Sequence, residues 1–306
     1  MKYLQKMNLS ERKIIVKFYS TNNDVLIIEK LRVFFNIKRK YSNSGNNIEL
    51  NICNIDNLSL NFILKSNKME LYIGYEERIF LAFLGRVDSL KTYHINADYI
   101  TSIVAFDGND ILSHSLSSYT GENGVYVRDI IEAAARDARL NLKMAPDIGR
   151  RAWKHGYSFY GSSKDMLDDA CKAEGLQYSV QNGVIQISKK NNSSSTVDTL
   201  LTMENGLIRY IDMIYKTPRA SVFTRGINPT NNPYIKNIVS ADAPEQGLKI
   251  YSLMRPDLMP GDMVRIQNPN TGTKRYRIDT IEHNGDSMPV KETELGTWTS
   301  TITLVE

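Results

Sequence analysis

The chain has 306 residues, a formal net charge of +4, 42% hydrophobic and 24% charged residues. That length allows two or three domains with real cores. The small net charge argues against a dedicated nucleic-acid binder, which would carry a clustered basic face.

The opening residues, MKYLQKMNLSERK, hold no apolar run of signal-peptide length. Nowhere do about 18 apolar residues run together, so no membrane span is expected and the protein should be soluble when made. Two distant cysteines, Cys53 and Cys171, read as buried thiols of a protein made in a reducing cytoplasm.

The first third reads as strands. Lys13 to Phe18 is a short apolar run. Lys30 to Arg39 places Leu31, Val33, Phe35 and Ile37 on one face. Asn47 to Ile55 alternates, with Ile48, Leu50 and Ile52 together. Met69 to Tyr75, Ile79 to Val87 and Asp98 to Asp107 continue the series. Polar turns such as SNSGNN (42–47) separate strands, and the spacing suggests a barrel or sandwich.

After Gly121 the pattern becomes helical. Val125 to Leu140 repeats Val127, Ile130, Ile131, Ala134, Ala135 and Ala138 at helical spacing. A second helix is expected from about Lys164 to Ala173. Ser162 or Ser163 would cap it, Gly175 would end it, and Met166, Leu167, Ala170 and Cys171 would form its buried stripe. Next, Tyr178 and Val180 lead into Asn182-Gly183, and Ile185 and Ile187 lead out. Asn-Gly favours a type I′ hairpin turn.

KKNNSSS (189–195) reads as a polar linker. Leu200 to Arg225 returns to strand-like patterns, and NPTNNP (228–233) is a turn-rich loop. Leu248 to Met254, the Pro260-Gly261-Asp262 turn, Met263 to Ile266, Tyr276 to Ile281 and Trp298 to Leu304 predict a small antiparallel barrel closing the chain. No repeat of solenoid period is visible. The two barrel-like ends look related, without a residue-by-residue alignment between them.

Catalytic and metal patterns are weak. His94, His114, His155 and His283 are scattered, with no i, i+4 pair and no Cys/His cluster. No G-x-S-x-G elbow occurs, and Cys171 on an apolar stripe would have a raised pKa. Glu132 and Asp137 on the first helix, and Asp165, Asp168 and Asp169 on the second, read as a solvated face rather than the paired acids of a sugar hydrolase. Asp107-Gly108-Asn109-Asp110 lacks the later acidic ligand of a calcium loop and reads as a turn. RRAWKHGYSFY (150–160) reads as aromatics packed into a core, with a base-stacking surface as the alternative. No phosphate-binding glycine loop is present. No catalytic, cofactor-binding or metal residue is therefore assigned, and no cofactor.

The order of the pieces resembles the baseplate hub proteins of phage tails, including the late-control type of contractile tails. The resembling segments are IELNICNIDNLSL (48–60), MELYIGYEERIFLAFLGRVDSL (69–90) and DYITSIVAFDGNDIL (98–112). YSFYGSSKDMLDDACKAEGLQYSVQNGVIQIS (157–188) is similar to that family's helix and hairpin segment. ENGLIRY (204–210), SLMRPDLMPGDMVRI and YRIDTIEHNGDS look like its final barrel. The resemblance implies an α+β, mainly β fold: two tube-protein-like antiparallel β-barrels with a small helix-plus-hairpin domain between them. The expected division is 1–118, 119–199 and 200–306.

It further implies a structural, non-enzymatic hub of the virion tail tip, assembled in the host cytoplasm. The hub would be a homotrimer adapting a sixfold tail tube or distal tube-initiator protein to a threefold central spike. Other baseplate or wedge proteins and the tape measure would be further partners, and DNA would meet it only in passage through the bore. Candidate interface anchors are aromatics such as Trp153, Tyr157, Tyr160, Tyr234 and Trp298; ordinary core packing is the preferred reading for each, and none is assigned as a site. The competing readings are a tail-tip cell-wall hydrolase and an OB-type nucleic-acid-binding barrel.

Overall fold

The computed structural model describes residues 12–43, 45–76, 78–122, 124–189, 198–216, 245–268, 272–288 and 297–305. The first part holds β1 (Arg12–Ser20), β2 (Val25–Ile28), β3 (Val33–Lys40), β4 (Asn47–Cys53), α1 (Asn57–Leu64), β5 (Ser66–Tyr75), β6 (Arg78–Ile95) and β7 (Asp98–Phe106). The middle holds α2 (Gly108–His114), β8 (Leu116–Gly121), β9 (Val125–Tyr126), α3 (Val127–Asp137), β10 (Asn141–Met144), β11 (Ala152–Trp153), β12 (Tyr157–Ser162), α4 (Ser163–Glu174), β13 (Leu176–Gln181) and β14 (Val184–Lys189). The last part holds β15 (Asp198–Leu201), a 3₁₀ turn at Met203–Asn205, β16 (Leu207–Lys216), β17 (Glu245–Leu253), β18 (Met263–Asn268), β19 (Gly272–Asp286) and β20 (Trp298–Val305).

The protein is mainly β, as the sequence predicts, and burial follows the period-two pattern. Val33, Phe35 and Ile37 on β3 and Ile48, Leu50 and Ile52 on β4 are buried on one face. The local signals around α4 also act as read. Ser162 accepts from the Asp165 amide, and Gly175 closes the helix at φ +62°. Asn182 (φ +50°) and Gly183 (φ +77°) make the β13–β14 turn, both in the left-handed region that Asn-Gly tolerates.

Three apolar clusters form. One gathers β1 to β7 around Phe18, Ile37, Leu50, Leu71 and Ile73. A second packs α3 and α4 on β13 and β14 through Ile130, Ile131, Met166, Leu167 and Ile185. The third lies among β15 to β20 around Ile250, Val264, Ile278 and Ile302. The first cluster also takes in Met254 and Trp298 from the end of the chain. Trp298 meets Phe35 and Tyr75 edge-on, at ring distances of 6.0 and 6.2 Å.

The two outer parts repeat one strand order. In the first, the ladder runs β3-β4-β7-β6-β5; in the last, it runs β16-β17-β20-β19-β18. β6 and β19 are each long strands that change partners midway. Arg78–Gly85 of β6 lies against β5, and Arg86–Ile95 lies against β7. Gly272–Arg277 of β19 lies against β18, and Arg277–Gly285 lies against β20. Each strand carries a bulge just past the change, at Asp88 and at Asp279, where the ladder register shifts by one residue. Aligned on these bulges, Arg86-Val87-Asp88-Ser89-Leu90 matches Arg277-Ile278-Asp279-Thr280-Ile281.

The two units join edge to edge. The distal half of β19 pairs antiparallel with β3, from Thr280 opposite Lys40 to Asp286 opposite Phe34, so both units share one 13-stranded sheet. Arg32 clamps the end of the joint through two bonds to the Asp286 carboxylate, at 3.2 and 2.7 Å.

Several expectations need correction. Two ladders are parallel, β10 with β14 and β15 with β18, where only antiparallel pairing was expected. β2, α1 and α2 were missed, and β6 runs eight residues beyond Val87. Asp107-Gly108-Asn109-Asp110 is no free turn: Asp107 caps α2, accepting from the Asn109 amide. The first helix starts at Val127 and ends at Asp137, because Val125 and Tyr126 pair with Ala152 and Trp153. The loop 228–233, most of the linker 189–195 and the strand-like residues beyond 216 lie outside the described residues.

Candidate assembly surfaces

The β13–β14 hairpin is the wedge between the middle part and the first. Asn182 at its tip donates to the Leu81 carbonyl at 3.0 Å and accepts from the Arg39 guanidinium. Gln181 donates to the Lys40 carbonyl at 3.0 Å, and the Tyr41 hydroxyl donates to Ser188 Oγ at 2.8 Å. Asn46 is the centre of this seam. Its amide nitrogen reaches the Asp107 carboxylate and the Val180 carbonyl, and its oxygen accepts from the Lys40 amide at 2.8 Å. Burial lifts the Asp107 carboxyl to about 6, although the amides of Asn109 and Asn46 and the charge of Arg39 pull it down.

A second buried polar group lies on β19, opposite Ile37 of β3. His283 Nδ1 shares a hydrogen bond with Ser300 Oγ at 2.8 Å, and Nε2 has no partner among the described residues. Burial, with the nearby Arg39 charge, pushes this imidazole down to about 3. Arg39 itself is buried and falls to about 10. Both groups are wedged between units, which requires His283 to be neutral.

The residues weighed for catalysis are spread out. Glu132 is exposed and takes Arg128 Nε at 2.9 Å; Asp137 is half-buried on the same helix. Asp165 accepts from Ser162, Asp168 accepts from the Tyr178 hydroxyl at 2.8 Å, and Asp169 is exposed. Cys171 is buried and its thiol is pushed up to about 12. His94 lies against the Tyr99 ring, His114 against Asp110, and His155 is exposed. No group of three His, Cys, Asp or Glu side chains that could hold a metal occurs among the described residues.

The proposed aromatic anchors divide by burial. Trp298 is not an anchor: it is core, packed between Phe35 and Tyr75. Trp153 and Tyr157 are half-buried and meet edge-on at 5.0 Å, with Phe159 stacked on Tyr157 at 6.1 Å, so they too pack inward. Tyr234 lies outside the described residues. Tyr160 alone of the set is strongly exposed, at 79%. It shares the outer face of the β8–β12 pair with Leu116, Ser118, Thr120 and Ser158, because strand alternation puts Tyr157 and Phe159 underneath. Tyr157→Ala should therefore cost about 3 kcal/mol of stability or more. Tyr160→Ala should stay within about 0.5 kcal/mol. Chemical denaturation of the two variants distinguishes them.

Apolar side chains are also exposed at strand and helix edges. Val25 and Ile27 lie on β2, which pairs only β1 among the described residues, and Leu58 and Leu64 lie on the adjacent α1. Tyr93, Ile95 and Tyr99 stand at the far end of the β6–β7 hairpin. Its strand β6 has Arg86–Ile95 paired with β7 on one edge, while the other edge is open among the described residues. β16 pairs only β17 there.

No family model matches the chain, and no curated protein matches it. Solved structures do. A tail protein from Neisseria meningitidis MC58 is 10% identical, with 97% of each chain covered and a TM-score of 0.59. The 43 kDa tail protein of prophage MuSo2 from Shewanella oneidensis is 11% identical, covering 97% of this chain and 98% of that one, with a TM-score of 0.61. An E. coli component of the type VI secretion system, described as structurally similar to T4 bacteriophage tail proteins gp27 and gp5, is 12% identical. The match covers 90% of this chain and 73% of that one, with a TM-score of 0.54. The chain shares the mainly β fold of these phage tail and type VI secretion proteins, as the sequence resemblance implies.

Proposed function

We propose that this protein is a baseplate hub of a phage tail, acting as a structural homotrimer without catalytic activity. In this reading residues 1–118 and 200–306 each supply a tube-type barrel, and residues 119–199 form the inserted middle domain. Three copies then present six similar units in a ring. One face of that ring meets a sixfold tail tube or tube-initiator protein, and the other meets a threefold central spike. Wedge proteins and the tape measure would add further contacts, and DNA would pass only through the bore. The protein would reside at the virion tail tip after assembly in the host cytoplasm.

The observation that carries the reading is the repeated strand order, with its two units fused edge to edge. A chain with two equivalent units can close a pseudo-sixfold ring from three copies by repeating one heterologous contact. Such closure also covers sheet edges that would otherwise invite aggregation. The likeness to tail proteins over whole chain lengths supports it. Among the described residues, Glu132, Asp165 and Asp168 are engaged with Arg128, Ser162 and Tyr178, which favours the structural reading over the hydrolase alternative.

The test is the mass of the purified full chain by light scattering, alone and mixed with the tube and spike proteins of the same tail. A trimer, formed alone or on mixing, is the expected result. A monomer that binds neither partner overturns the proposal.

A further inference from the structure

The repeated units place one joint inside the chain and leave the matching joint open. Within the chain, the distal half of β19 takes β3 along one edge, opposite the edge that holds β20. By the repeat, β19 corresponds to β6 and β3 corresponds to β16. The counterpart of the internal joint is therefore β6 beside β16. In one chain these two strands lie in different units and are not paired with each other.

The correspondence holds at the level of register. β4 matches β17 without a gap, since Asn47 to Cys53 faces Phe106 to Ile100 as Gly247 to Leu253 faces Val305 to Thr299. On β6 and β19 the bulges at Asp88 and Asp279 fix the alignment, so Lys91 corresponds to Glu282. On β3 and β16 the shared partner strands place Lys38 at the position of Ile214.

We propose that a second copy of this chain docks its β16 antiparallel on the open edge of β6, between Ser89 and Ile95. Carrying the Glu282–Lys38 register across sets Lys91 opposite Ile214 of the neighbour and Tyr93 opposite Asp212. The surface fits an added strand. Lys91 and Tyr93 are exposed, Ile95 is 48% exposed, and this half of β6 has backbone groups on one edge without a strand partner among the described residues. An added strand satisfies those groups and covers the exposed side chains. Since β6 and β16 sit on different units, the contact is head-to-tail and repeats around a ring until it closes. The number of copies at closure rests on the hub reading; the strand pairing rests on the internal duplication.

The test is disulfide trapping in the full chain. Paired antiparallel residues have Cα atoms about 4.5–5.5 Å apart, within disulfide range. Lys91→Cys with Ile214→Cys in one chain should form intermolecular disulfides under mild oxidation. Non-reducing gels should then show a ladder ending in a covalent trimer. Each single variant should stay uncrosslinked, because Cys53 and Cys171 are buried. Tyr93→Cys with Asp212→Cys is the second pair, for use if the first variant does not fold. A protein that is trimeric by mass, yet traps at neither pair, overturns the joint and leaves the hub reading standing. A chain that stays monomeric by mass, both alone and mixed with the tube and spike proteins, overturns both.

Discussion

Replacing Asn46 by alanine should cost roughly 3–5 kcal/mol and loosen the middle part from the first. The residue is 2% exposed and makes no use of its side chain except in bonding. Alanine removes the donor that faces the buried Asp107 carboxylate and the acceptor for the Lys40 amide. The Asp107 carboxylate is 3% exposed, so losing its donor carries a desolvation cost rather than the small net worth of one hydrogen bond. The Asp107 carboxylate already resists ionising there, and losing a donor makes that worse. Urea denaturation gives the loss, and limited proteolysis between the parts gives the loosening. A midpoint change equivalent to less than about 1 kcal/mol would show that the seam is not organised around Asn46.

Acid should destabilise the protein through His283. Its folded-state value is about 3, against 6.5 when unfolded. Between those values the unfolded chain binds the proton and the folded chain does not. Stability from this group is therefore complete above pH 6.5 and is lost as pH falls toward 3, by roughly 5 kcal/mol at the limit and about 3 kcal/mol at pH 4.5. The groups facing the ring, Arg39, Ser300 and Asp257, leave that direction intact, since Arg39 lowers the value and Asp257 only partly restores it.

Asp107 works in the opposite sense. Its folded value of about 6 lies above the ordinary aspartate value of 3.8, so acidification from pH 6 to below 4 relieves a cost of roughly 3 kcal/mol. The two windows overlap, and His283 wins because its displacement is larger. His283→Asn keeps a polar partner for Ser300 and removes the titration. The gap in stability between natural and variant protein should then narrow by about 3 kcal/mol from pH 7 to pH 4.5. Parallel pH profiles for the two proteins would refute the assignment.

Legibility in the sequence tracked burial. β3, β4, α4 and the Asn182-Gly183 hairpin were readable because each has one apolar face and an ordinary cap or turn. The distal half of β6 was not, because DSLKTYHI keeps almost no buried face for the alternation to mark. α1 hid for the opposite reason: NLSLNFIL is apolar nearly all round, with Leu58 and Leu64 left exposed. α2 spans only seven residues and begins at a motif that also reads as a turn. Which aromatics are core and which are surface was open in the sequence, because residue type alone does not separate the buried Trp298 from the exposed Tyr160. The repeat is written in the chain as GRVDSL and YRIDTI, yet six residues so far apart mean little until the bulges align them. The Asn46 seam had no signal at all, since its partners come from β3, the cap of α2 and β13.

The β3–β19 joint has a mechanical consequence. Its strands run antiparallel across the border between the two units, so a pull along them loads every cross-strand bond together, in shear. Rupture would have to be simultaneous instead of one bond at a time, as in peeling. Paired backbone at the border also removes the hinge that two separately folded modules usually keep. Thrust applied to one half of this molecule is passed to the other as through a single stiff plate.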